Sequence, residues 1–151
     1  MSTVAIVGAG HVAGATAHAL AVSDRVGRLV LIDDAVSAAR GKALDIRQSA
    51  AIVPFHTRLD GTDDLSSVTG CSVCVIADRF GSDSEWMGDE GLALIRRLTA
   101  YLGKTPLVFA GASQGSLIAY AATEAGIDRR RLIGSSPEAL VSSVVAITAL
   151  E

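Results

Sequence analysis

Short apolar runs alternate with helical patterns along the whole chain, and this alternation restricts the possible folds most strongly. The runs predict strands at 3–7, 28–32, 56–60, 73–77, 106–110 and 131–134. Helical patterns lie between them at 11–23, 35–51, 84–102 and 114–125, and a last one spans 137–150. Strands alternating with helices are typical of βαβ units, in which a parallel sheet carries helices on both faces. A doubly wound, three-layer α/β fold is therefore predicted.

Length and charge limit the functional classes. A chain of 151 residues fits one domain, 1–151, and no interior change of composition marks a second one. The net charge of −3 gives no reason to expect nucleic acid or an anionic membrane as a partner. No basic leader precedes the first apolar run, and no apolar stretch approaches 18 residues. The expected location is the cytoplasm.

The two cysteines have the spacing of a redox or metal motif, Cys71-Ser-Val-Cys74. However, they begin the strand-like run CSVCVIA, and residues three apart on a strand point to opposite faces. Two buried structural thiols are predicted, on opposite sides of the sheet.

The strongest motif is VAIVGAGHVAGATAHAL at 4–20, which gives Gly-x-Gly-x-x-Ala between a strand and a helix. Gly8 permits a tight turn, Gly10 lets the backbone approach a pyrophosphate, and Ala13 lets the helix pack closely on the sheet. The phosphates would lie at the helix N-terminus, where unpaired N–H groups favour negative charge. The second strand ends at Asp33, about twenty residues further on, where an acid would bind the ribose 2′-hydroxyl. Together these features predict a dinucleotide site.

Five segments resemble the lactate/malate dehydrogenase family, in that family's order and spacing and over nearly all of the chain. They are VAIVGAG, LVLIDD, GKALDI at 41–46, GTDD at 61–64 and RRLIGSS at 130–136. The resemblance implies a Rossmann fold with six strands in the order 3-2-1-4-5-6, and NAD as cofactor. The predicted cofactor-binding residues are Gly8, Gly10, His11, Val12, Ala13, Asp33, Asp34, Ala77, Asp78 and Ala110.

The loop after the fourth strand, ADRFGSDSEWMGDEG at 77–91, departs from the family pattern. The family has two arginines here, which polarise the substrate carbonyl and bind its carboxylate. An ungapped alignment places Ser82 and Gly88 at those positions. Arg79 lies three residues too early and is interpreted as a solvated loop charge rather than a relocated clamp. The loop is otherwise acidic, and it would repel a carboxylate rather than bind it.

Further catalytic positions of the family also differ. The fifth strand should end in an Asn-containing segment but runs into Ala110-Gly111-Ala112, and the last helix has Leu140 and Ser143 where an Asp and an Arg are expected. In the family a following domain carries the catalytic histidine. None of the histidines, His11, His18 and His56, is a candidate for that role or has metal-ligand company. No catalytic and no metal-binding residue is predicted.

The segment FAGASQG at 109–115 contains Gly-x-Ser-x-Gly after a strand, as in the nucleophile elbow of serine hydrolases. That architecture needs a histidine after the serine in the chain, and all three histidines precede Ser113. Ser113 is therefore interpreted as a polar loop residue or a helix cap.

Three functional classes remain open from the sequence. The chain is a cofactor-binding module without turnover, the N-terminal half of a longer NAD-dependent 2-hydroxy-acid oxidoreductase, or a repurposed NAD-dependent enzyme on a non-carboxylate substrate. The acidic loop favours the last of these over a standard malate or lactate enzyme.

A homodimer is expected through the helix at 35–51, because in the resembled family the helix carrying GKALD lies at a two-fold interface. Its small-residue face consists of Val36, Ala39, Ala43, Ile46 and Ala50. The apolar C-terminal helix must also be covered, either by a second copy or by its own sheet.

Overall fold

Six parallel strands form one sheet in the order β3-β2-β1-β4-β5-β6 in a computed structural model that describes residues 2–81 and 85–149. The strands are β1 (Thr3–Val7), β2 (Arg28–Ile32), β3 (Arg58–Thr62), β4 (Val73–Ile76), β5 (Leu107–Phe109) and β6 (Leu132–Gly134). The α-helices of the described residues are α1 (His11–Ser23), α2 (Val36–Ser49), α3 (Gly88–Leu102), α4 (Gly115–Thr123) and α5 (Ser136–Thr148). One-turn 3₁₀ helices lie at Leu65–Val68 and Arg129–Arg131. The predicted fold class and strand order are confirmed.

The central strands β1, β2 and β4 divide their apolar side chains between two cores, because successive residues point to opposite faces of the sheet. Val4 and Ile6 of β1 belong to the core beneath α1 and α2, whereas Ala5 and Val7 belong to the core beneath α3 and α4. Parallel strands buried on both faces require apolar residues at nearly every position. The continuous apolar runs in the sequence follow from this requirement.

Small residues let two helices lie close to the sheet. On α1, Ala13, Ala17 and Ala21 recur every four residues and are fully buried. Gly61 of β3 lets α2 lie close to the sheet in the same way, since a β-carbon there would overlap the backbone of Ala39 and Arg40. These small residues let α1 and α2 pack closely on the sheet.

Two predicted boundaries moved for identifiable reasons. β3 begins at Arg58 rather than 56, because the N–H groups of His56 and Thr57 donate to the Asp24 carboxylate instead of a neighbouring strand. The predicted start of α3 at residue 84 lies outside the described residues, and the helix begins at Gly88. Glu85, just before it, is held extended in an antiparallel bridge with Asp78.

Both cysteines are buried free thiols, which confirms their structural role. Burial raises the pKa of the Cys74 thiol to about 12 and also raises that of Cys71. The prediction of opposite faces is wrong. Cys71 precedes β4 in the chain, and both side chains lie in the core beneath α3 and α4.

The predicted dimer face of α2 is mostly used within the molecule. Ala39, Ala43 and Ile46 are buried in the core between α2 and the sheet, so three of the five residues named for a partner contact are used within the molecule. A homodimer through this helix stays a prediction. By contrast, α5 has no buried residue and does not pack on the sheet. Its apolar side chains are each more than half exposed: Leu140, Val141, Val144, Val145 and Ile147.

No helix within residues 2–81 and 85–149 is long and apolar enough to cross a membrane.

Candidate dinucleotide-binding site

The candidate site lies at the carboxyl edge of β1, β2 and β4, where the strand order reverses between β1 and β4. Ligands of open α/β sheets bind at such a switch point. The turn from β1 to α1 runs through Gly8, whose φ of 121° is in a region that other residues rarely adopt. The Gly8 N–H donates to the Ile32 carbonyl of β2 at 2.7 Å, and the Gly10 N–H donates to the Asp78 carbonyl at 3.0 Å.

Both glycines are required by the close approach of Asp78. A β-carbon on Gly8 would collide with the Asp78 backbone, and one on Gly10 would collide with the Asp78 carboxylate. The motif thus keeps the space next to the backbone free of its own side chains, as its dinucleotide interpretation requires. In this structure Asp78 occupies that space.

The first turn of α1 binds an anion. The Asp78 carboxylate accepts from the Val12 N–H at 3.0 Å and from the Ala13 N–H at 2.8 Å. Asp78 is 7% exposed. A helix N-terminus combines unpaired N–H donors with a positive dipole end, which favours such a negative charge.

Asp33, at the end of β2, is a junction of three backbone segments. Its carboxylate accepts from the N–H groups of Ala9 at 2.9 Å, Ala35 at 2.9 Å and Phe80 at 3.0 Å. The side chain thereby connects the glycine turn, the start of α2 and the loop after β4. An ionised carboxylate has about four acceptor positions, so most of the capacity of Asp33 is already used.

The loop after β4 folds over the end of β2, beside Asp33 and Asp34. The Arg79 guanidinium forms an ion pair with Glu90 at 2.6 Å and lies 5.0 Å from the Trp86 ring centre. The interpretation of Arg79 as a solvated charge is therefore wrong. The Trp86 side chain is buried beside Asp33 and Asp34, in a cleft whose free volume of about 10 Å³ is close to that needed by a single water molecule.

Sequence reasoning missed Lys42, which reaches the glycine turn from α2. Its Nζ donates to the Gly10 carbonyl at 2.8 Å. The side chain crosses Gly14, where a β-carbon would lie 2.9 Å from the Lys42 Nζ. Lys42 and Arg79 line an open cleft of about 240 Å³ beside Gly10 and His11. The available signal was the lysine of GKALDI together with a glycine inside α1.

The other predicted site residues lie around the same edge. His11 and Val12 are exposed at the start of α1, and Asp34 is exposed after β2. Ala77 and Ala110 follow β4 and β5, and their N–H groups donate to the Val7 and Ile76 carbonyls, respectively. The tertiary structure thus brings the predicted set together, from strands that are distant in sequence.

A second carboxylate is bound where β5 leads into α4. Glu85 accepts from the Ala112 N–H at 2.6 Å and from the Ser113 N–H at 2.9 Å. Ser113 is an exposed loop residue as predicted, but it does not cap α4, whose N-cap is Gln114. In place of a catalytic serine with a histidine, this loop presents backbone donors to an acid from the 77–91 loop.

Comparison with known proteins identifies the family. A family model described as lactate/malate dehydrogenase, NAD binding domain, matches residues 2–81, more than half of the chain. The chain belongs to this family. The malate dehydrogenase of Thioalkalivibrio sulfidiphilus is 43% identical over 76 residues, covering 50% of this chain and 25% of that protein. The malate dehydrogenase of Sulfurimonas denitrificans is 28% identical over 139 residues, covering 87% and 44%.

Solved structures agree on the fold of this NAD-binding domain. The malate dehydrogenase of Salinibacter ruber has a TM-score of 0.72 at 24% identity, covering 87% of this chain and 44% of that one. The lactate dehydrogenase of Cryptosporidium parvum, complexed with lactic acid and NAD, has a TM-score of 0.76 at 18% identity, covering 88% and 44%. The chain therefore spans less than half the length of these relatives.

The three backbone contacts of Asp33 predict a specific loss of stability. Asp33→Asn keeps the side-chain shape but replaces one acceptor oxygen by a donor that faces N–H groups. We expect the free energy of unfolding to fall by roughly 2 kcal/mol or more, measured by thermal and urea unfolding. The matched variant Asp34→Asn, one residue away and exposed, should change it by less than about 0.5 kcal/mol. Equal effects of the two substitutions would show that the Asp33 contacts do not stabilise the fold.

Proposed function

We propose that this domain binds NAD(H) through the turn between β1 and α1 and the ends of β2, β4 and β5. The observation that carries the proposal is the anion already bound by the Val12 and Ala13 N–H groups. Two backbone donors at a helix N-terminus, beside glycines that leave room for a ligand, suit one phosphate of a pyrophosphate. The donors fit the cofactor, provided that the Asp78 carboxylate leaves them.

The remaining residues are assigned by their position around the turn. Lys42 lies where its ammonium group would offset phosphate charge, and His11 lies beside it at the start of α1. Asp33 and Asp34 would face the adenosine ribose. Ala77 and Ala110 lie at the ends of β4 and β5 and would border the nicotinamide side, whereas the Asp78 carboxylate lies on the phosphate donors themselves. When bound, the cofactor would supply hydride transfer.

The cofactor preference follows from the acids after β2. A 2′-phosphate would lie next to Asp33 and the exposed Asp34, so NADPH should bind at least about tenfold more weakly than NADH, equivalent to about 1.4 kcal/mol. Isothermal titration of each nucleotide measures the ratio. Asp34→Asn should narrow it without unfolding the domain. Equal affinities of the unmodified chain for the two nucleotides would contradict the assignment.

Chemical turnover of a 2-oxo acid is not part of the proposal. That reaction needs a carboxylate clamp, a polarising cation and a proton donor near neutral pKa. The family resemblance places Ser82, Gly88, Gly111, Leu140 and Ser143 where these groups and their supports should stand. Ser82 lies outside the described residues. The Arg79 guanidinium forms an ion pair with Glu90 and is therefore not available to bind a substrate carboxylate.

The 151-residue chain should therefore not oxidise NADH with oxaloacetate or pyruvate, measured by absorbance at the NADH band. Each missing electrostatic or proton-transfer group commonly costs about a hundredfold in rate. Arginine at positions 82 and 88 together should not restore activity, because no histidine takes the proton-donor role. Turnover that disappears in Gly10→Val would show that a relocated site had been overlooked.

For assembly, we infer a homodimer that covers the exposed apolar side chains of α5, rather than the buried face of α2. Light scattering at micromolar concentration should give twice the chain mass. Val144→Glu on α5 should produce a monomer, whereas Leu44→Glu on the exposed face of α2 should not. A monomeric unmodified chain would count against the dimer and favour the alternative, in which α5 packs on the catalytic half of a longer oxidoreductase. A cytoplasmic location and the absence of nucleic-acid partners are further proposals, and the net charge of −3 supports the second.

A further inference from the structure

We propose that Asp78 is an internal competitor of the cofactor: its carboxylate occupies the anion position at the N-terminus of α1, and NAD(H) binds only when Asp78 is displaced. This inference rests on the proposed function, since it concerns the same donors. It goes further in making Asp78 the residue that sets the affinity of the site.

Nearly every backbone N–H group of the turn between β1 and α1 already has an acceptor within the chain. Gly8 donates to the Ile32 carbonyl, Gly10 to the Asp78 carbonyl and Gly14 to the Gly10 carbonyl. Ala9 donates to the Asp33 carboxylate. Val12 and Ala13 donate to the Asp78 carboxylate.

His11 is then the one position from 8 to 14 whose N–H has no acceptor among the described residues. An entering phosphate would find the two most suitable donors already used. Hydrogen bonds to a carboxylate are charge-assisted and about twice as strong as neutral ones, so a phosphate must break two strong bonds to reach these donors.

Asp78 also excludes a phosphate by its volume and by its charge. The Asp78 carboxylate fills the space beside Gly10 that would admit a pyrophosphate. It lies so close that a β-carbon on residue 10 would collide with it. A phosphate and a carboxylate cannot share donors at this distance without strong like-charge repulsion. The two anions therefore exclude each other, and one must leave before the other binds.

Residues near Asp78 also fill the cleft beside Asp33 and Asp34, where the proposed function places the adenosine. The Phe80 N–H donates to Asp33, and the Trp86 indole is buried beside Asp33 and Asp34, where the cleft retains only about 10 Å³. The chain's own groups thus occupy both the phosphate and the adenosine positions. Trp86, the single tryptophan, should report the displacement by its fluorescence.

The experiment compares Asp78→Ala with the unmodified 151-residue chain by isothermal titration with NADH. Removing the competing carboxylate should lower Kd by at least about tenfold. The matched control is Asp89→Ala, which removes an exposed acid from the first turn of α3 and should leave Kd unchanged. Asp78→Asn, which retains one acceptor oxygen without the charge, should give an intermediate value and serves if the alanine variant folds poorly.

Two further measurements separate this inference from cofactor binding itself. Inorganic pyrophosphate, at ionic strength matched with NaCl, should raise the Tm of Asp78→Ala more than that of the unmodified chain. In the unmodified chain, saturating NAD⁺ should increase the quenching of Trp86 by acrylamide. NADH binding with equal Kd in both proteins, and no change in quenching, would overturn the role of Asp78 and leave the proposed function standing. Folded proteins that bind neither NADH nor pyrophosphate would overturn both.

Discussion

The architecture of the site depends on two carboxylates that supply acceptors for backbone N–H groups at one edge of the sheet. Between β1 and α1 the backbone leaves the hydrogen-bond ladder of the sheet. Its N–H groups there need other acceptors, because much of this turn is buried. Asp33 and Asp78 lie at the ends of the strands on either side of β1. Their carboxylates accept from four backbone N–H groups, those of Ala9, Val12, Ala13 and Ala35. Packing of α1 and the start of α2 at this edge is fixed by these contacts.

The same contacts link stability to binding. A carboxylate that caps α1 stabilises the domain through charge-assisted hydrogen bonds, and the N-terminus that it caps is also the most favourable place for a phosphate. Stability of the ligand-free domain and affinity for an anionic ligand therefore draw on the same donors. In this molecule the acidic 77–91 loop provides such internal anions at two places, through Asp78 at α1 and Glu85 at the backbone before α4.

The correct and incorrect predictions divide by the range of the interaction behind them. Apolar runs located β1 and β2 to the residue, since burial on both faces of a parallel sheet leaves a continuous signal. β3 was placed two residues early, because a distant Asp24 takes the N–H groups of His56 and Thr57. The small-residue face of α2 was predicted to contact a second copy of the chain. Gly61 of β3 instead lets the molecule's own sheet pack against the backbone of α2.

By itself, the sequence determined the doubly wound fold, the strand order through family resemblance, and the glycine turn beside Asp33, because these follow from local periodicity and from a motif within one βα unit. Only the tertiary structure decided what occupies that turn. Asp78 is separated from Ala13 by 65 positions in sequence, yet its carboxylate lies 2.8 Å from the Ala13 N–H. That contact arises because β4 pairs beside β1, so a residue just after one strand meets the helix that follows the other. No pattern within either segment carries this information.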